Sequence, residues 1–134
     1  MAATQYNFSI EQGSSFRLAL TYKDSDGNII DLTNYCARLT MKIGSDEYKI
    51  FSSLETNFDE YKFTIDGPQG TINLLIPAEA TNDYNFNSAK YDLELQSPQD
   101  LYVGGGKYTI RVLYGTITII KRFSQSTTLL DCAL

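Results

Sequence analysis

Few side chains in this chain could do chemistry, and their spacing is poor for it. Histidine is absent from the 134 residues, which removes the general base of Ser-His-Asp hydrolysis and most zinc, iron and copper ligand sets. Asp24, Asp26 and Asn28 imitate the opening of a calcium loop. The imitation stops at the sixth position, where Ile29 replaces the turning glycine, and at the twelfth, where Tyr35 replaces the bidentate glutamate. Paired carboxylates could serve glycoside hydrolysis, but Asp92 and Glu94 fall on the polar side of an alternating run, and Asp59 with Glu60 falls in a loop. Solvated charge accounts for both pairs. Gly104-Gly105-Gly106-Lys107 has the composition of a phosphate loop, yet Tyr108 follows the lysine and opens a strand where that motif needs Ser or Thr and a helix. Cys36 and Cys132 have no neighbouring cysteine or histidine to complete a ligand set. Two reduced thiols are expected, with a long-range disulfide as the alternative. These residues imply no enzyme, no cofactor and no metal site.

The elements that would position any site are strands. Tyr (10) and Phe (7) are abundant and Trp is absent, and Ile, Thr and Val fill runs in which apolar and polar residues alternate. Residues 89–123 are the clearest case. Ala89, Tyr91, Leu93 and Leu95 share one side, Lys90, Asp92, Glu94 and Gln96 the other; Tyr108, Ile110, Val112 and Tyr114 line one face of the next run, and Ile117 and Ile119 continue after Gly115. The pattern predicts three successive strands, with Gly115 dividing the second from the third. Earlier, Tyr6, Phe8 and Ile10, then Phe16, Leu18, Leu20 and Tyr22, give two strands. Asp26-Gly27 is a turn with the strongest short-range hairpin signal. Tyr35, Ala37, Leu39, Met41 and Ile43 alternate with Cys36, Arg38, Thr40 and Lys42. Glu47–Phe51 is a short strand, and residues 61–76 form a second hairpin around Asp66-Gly67-Pro68. Pro77 to Asp83 suits one helical turn.

Seven to nine short strands without a helix-period segment predict an all-β, antiparallel, immunoglobulin-like β-sandwich, with a small closed barrel as the alternative. Its core would contain Tyr35, Leu39, Met41, Ile65, Ile72, Leu74, Tyr91, Leu93, Leu95, Ile110 and Val112. The sandwich would span residues 1–123, and 124–134 would be a C-terminal tail. A formal charge of −5 and scattered basic residues disfavour nucleic acid as a partner, and Lys121-Arg122 reads as a solvated strand end. No apolar run approaches the length of a membrane helix, and the N-terminus lacks a signal-peptide pattern, so a soluble, cytoplasmically made protein without a membrane partner is expected.

Two stretches, QGSSFRLALTYKDSDGNIIDLTNYCARLTMKI (12–43) and YDLELQ with IRVLYGTITIIKRF (91–123), resemble small virion structural proteins of tailed bacteriophages. The shared pattern is a D-x-D-G-type turn, a DLT-x-Y-x-A-R lead into the next strand, a YDLE strand and a closing R-x-L-x-G-x-V/I-x-I hairpin. It is similar in kind to the immunoglobulin-like N-terminal module of upper baseplate proteins. The resemblance implies a tail, baseplate or fibre-attachment component of the virion that assembles with other virion proteins, as a homo-oligomer, through sheet edges and termini, and carries no catalytic residue. The unprotected N-terminal run and the apolar tail put Tyr6, Phe8, Leu129, Leu130 and Leu134 at that interface. The alternative is a capsid-decorating or carbohydrate-binding module, with Tyr84, Phe86 and Tyr102 as sugar-stacking candidates.

Overall fold

The computed structural model describes residues 3–53, 63–98, 107–123 and 129; Asp59, Glu60, Tyr102, Gly104 to Gly106, Leu130, Cys132 and Leu134 lie outside them. The described residues form nine strands and one helical turn: β1 (Thr4–Gln5), β2 (Phe8–Glu11), β3 (Phe16–Thr21), β4 (Cys36–Ile43), β5 (Glu47–Ser52), β6 (Phe63–Asp66), β7 (Thr71–Ile76), α1 (Ala78–Thr81), β8 (Ser88–Gln96) and β9 (Thr109–Ile120). They build two sheets. The larger has the order β1-β9-β8-β4-β5 with β2 also on β9, and the smaller has the order β3-β7-β6. Taken as positions B to G, strands β3 to β9 place D, E and B in one sheet and C′, C, F and G in the other, which is the Greek key of a variable-type immunoglobulin sandwich. Neither β3 nor β8 carries a cysteine, so no disulfide links these two strands.

The apolar alternation closes the sandwich. Leu18, Ile72, Leu74 and Ile76 from the small sheet meet Ile10, Leu39, Met41, Phe51, Tyr91, Leu93, Leu95, Ile117 and Ile119 from the large one in a single buried cluster. Of the expected core, Leu39, Met41, Ile72, Leu74, Tyr91, Leu93 and Leu95 are buried, and Tyr35, Ile65, Ile110 and Val112 pack against that cluster at its margin. Each fully buried aliphatic side chain contributes about 1.5–3 kcal/mol through removal from water.

Three expectations need correction. The closing segment is two strands, because Gly115 lies inside β9 opposite Tyr91 rather than in a turn. A bulge causes the misreading: Leu93 pairs with Leu113 and Glu94 with Arg111, so Val112 is an extra residue. It moves the inward set from Ile110 and Val112 to Leu113, Gly115, Ile117 and Ile119, and Tyr114 leaves the face that strict alternation assigns to it. Asp26-Gly27 does turn the chain, but with a single bridge, Lys23 to Ile29, after which β3 and β4 enter different sheets. Finally, β1 and β2 join β9 in parallel, while the other pairings are antiparallel.

Candidate interface at the N-terminal edge strand

Thr4 to Glu11 is too short to hold itself on a sheet, and β9 gives it one ladder. Tyr6 N–H donates to Tyr114 O and Gln12 N–H to Ile120 O, both at 2.8 Å. With Phe8 opposite Ile117 and Ile10 opposite Ile119, the even-numbered amides turn toward β9. The amides of Ser9 and Glu11 therefore point outward, as the period of an extended strand requires. This edge carries one charge, Glu11, at its far end, and neither proline nor lysine, the usual protections of an edge against a second chain.

Point contacts fix the strand along its length. Between β1 and β2 the chain breaks from the ladder, and the Asn7 side-chain oxygen takes the place of a backbone acceptor for Thr116 N–H (2.9 Å). At that break the Tyr6 carbonyl sits over Gly115 so closely that a Cβ there would land on it, and the Asn7 oxygen would lie 2.6 Å away; only glycine fits. The Tyr91 hydroxyl, rising from β8, donates to the same Tyr6 carbonyl at 2.6 Å. Burial pushes the Tyr91 hydroxyl up to about 12, with Tyr6 adding to it, so the phenol keeps the proton it donates. Phe8 turns inward, stacked on Phe16 at 5.1 Å and edge-on to Tyr91 at 5.0 Å.

A polar knot secures the strand's end. The buried Gln12 side chain donates to Tyr84 O (3.0 Å) and Asn82 O (3.2 Å) and accepts from Arg122 N–H (3.2 Å). Thr81, on α1, donates to Ser14 O and accepts from Gly13 N–H. Arg122 reaches Asn82 Oδ1 at 2.7 Å, and Lys121 reaches Phe86 O at 2.8 Å. Lys121 and Arg122 are thus tied into the fold and are not a solvated strand end. Nothing in their local alternation signals it, since their partners are 35 to 110 residues away. The next residue, Phe123, is wholly exposed.

Of the expected interface residues, Tyr6 is 48% exposed, Phe8 is half-buried in the aromatic stack, and Leu129 is partly buried; Leu130 and Leu134 are outside the described residues. The sugar-stacking candidates do not form an exposed cluster. Tyr84 is buried at 3% exposure, with its ring 5.4 Å from Phe86, which packs against the core.

The motif residues that suggested a virion protein face one another. Leu32 is buried completely, Asp31 accepts from the Thr33 amide and hydroxyl, and those bonds hold the Asp31 carboxyl below its usual range. Asn34 takes a left-handed φ of 67°, and β4 begins. Its Arg38 meets Glu94 of β8 at 2.7 Å, and Leu39 pairs with Leu93 and Met41 with Tyr91. The DLT-x-Y-x-A-R lead and the YDLE strand are thereby engaged through turn, ladder and core contacts. Asp24, likewise, accepts from the amides of Asp26 and Asn28 (2.9 Å each) within its turn. Cys36 is free, its sulfur 3.9 Å from the Gln96 side-chain oxygen. No helix among the described residues is long and apolar enough to cross a membrane. No protein-family model matches the chain, and no curated protein matches it.

Proposed function

We propose that the chain is a structural protein of a tailed-bacteriophage virion, in the tail, baseplate or fibre-attachment region, and that it acts by joining copies or neighbouring virion proteins rather than by catalysis. The observation that carries this reading is the N-terminal edge. A strand is secured from within by Gly115, Tyr91, Phe16 and the Gln12 knot, yet it presents a row of outward amides and an exposed Tyr6 with almost no charge to deter pairing. Edge-strand addition supplies affinity through main-chain bonds and needs no pocket. The turn, ladder and core contacts of Asp31, Leu32, Ala37 and Leu39 with their neighbours support a structural role for the residues that carry the resemblance. The test is direct. Mass spectrometry of gradient-purified virions finds the chain in stoichiometric amount, and cryo-EM of those particles places it in the tail; absence from purified particles overturns the reading.

A further inference from the structure

The outer face of the large sheet carries a second feature, a hollow that Gln5 of β1 borders. Cross-strand register aligns Thr40 with Asp92 and Asp92 with Tyr114, and beside them Lys42 with Lys90 and Lys90 with Thr116. Tyr48 of β5 stands opposite Lys42. Together with Arg111 these residues line an open hollow of about 370 Å³. Its two aromatic walls differ: Tyr48 is 52% exposed, whereas Arg111 lies over the Tyr114 ring at 4.7 Å.

Charge makes the hollow distinctive. Three cations, Lys42, Lys90 and Arg111, line the hollow with one carboxylate, Asp92, in a chain whose net charge is −5. Lys90 donates to Thr116 Oγ1 at 3.3 Å and Arg111 lies over Tyr114, whereas the Lys42 side chain makes neither a hydrogen bond nor an ion pair among the described residues. Asp92 has neither a hydrogen bond nor an ion pair among the described residues, because Arg38 is taken by Glu94. Partial burial and the neighbouring Glu94 push the Asp92 carboxyl up, against the pull of Arg111 and Arg38. A partly exposed carboxylate that accepts no hydrogen bond from a neighbouring side chain is open to donors from a ligand, and hydroxyl groups would supply them. A simple anion would pair with Lys42 but meet Asp92 repulsively; a neutral sugar would serve Asp92 and leave Lys42 without a partner.

From this arrangement we infer a carbohydrate site for a pyranose bearing a carboxylate. Its ring lies on Tyr48, its acid group pairs with Lys42 beside that ring, and its hydroxyls donate to Asp92. Uronic and sialic acids share this chemistry. The site replaces the Tyr84 and Phe86 cluster as the place where the chain would meet a glycan.

Isothermal titration of the full chain with oligogalacturonate, oligosialate and, as neutral control, cello-oligosaccharide decides the matter. Saturable binding is expected for at least one acidic oligomer, weakened by added salt; which one binds distinguishes the two sources. Tyr48→Ala and Asp92→Asn should each weaken it at least tenfold while circular dichroism melting stays unchanged or, for Asp92→Asn, rises. Absence of binding to both acidic oligomers overturns the inference, as does equal binding of the neutral one or full affinity in both variants.

Discussion

The β4–β8 pair and the N-terminal edge are held to the same sandwich by different means. Along β4 and β8, Ala37, Leu39 and Met41 face Leu95, Leu93 and Tyr91 in the buried cluster, so apolar burial and seven paired positions act together. Along the edge only Ile10 is deeply buried, and position depends on a carbonyl over a glycine, a phenol bond and a glutamine knot. The contrast teaches that the centre is specified by residue class repeated at period two, whereas the edge is specified by single contacts, each of which can be removed alone. That division suits a protein whose scaffold must stay fixed while its edge meets a partner.

The two regions should therefore fail differently. Leu93→Ala, at a fully buried position, should lower stability by about 2–5 kcal/mol, with the whole chain unfolding in one denaturant transition at a lower midpoint. An unchanged midpoint would place Leu93 outside the core. Gly115→Ala should cost about 1–3 kcal/mol through overpacking, but its damage should be local. Hydrogen exchange is expected to accelerate at Tyr6 and Thr116 while β4 and β8 keep their protection; uniform acceleration would show that the edge is not separable.

A smaller effect follows from Tyr91→Phe, which leaves the ring and deletes the bond to Tyr6 O, at about 1 kcal/mol. It also changes the pH profile. The folded state holds the Tyr91 proton up to about 12, above the ordinary tyrosine value near 10. Between these limits the folded chain binds more protons than the unfolded one, so stability present below pH 10 is lost as pH rises through the folded value. The variant should show a shallower alkaline decline in urea midpoints measured from pH 9 to 12, and an identical decline would remove Tyr91 from the account.

The core was legible in the sequence because Leu39, Met41, Leu93 and Leu95 repeat at the strand period and each burial is a property of residue type. The extra residue at Val112 was not legible, since a bulge changes parity without changing composition, and Gly115 then resembles a turn. The parallel course of β1 and β2 was also hidden. It depends on Asn7, Gly115 and Tyr91, which lie in three separate segments. For the same reason the hollow around Asp92 escaped: alternation assigns Lys42, Asp92 and Lys90 to solvent correctly, but only strand register brings them beside Tyr48.

Ser9→Pro tests the central claim most directly. The Ser9 amide points away from β9, so proline there removes an outward donor and obstructs a partner strand while leaving the inner ladder intact. In sedimentation velocity over a range of concentrations, the unmodified chain is expected to form a discrete oligomer and Ser9→Pro to remain a monomer of about 15 kDa with the same melting temperature. A variant that assembles as the unmodified chain does would contradict an interface at the N-terminal edge.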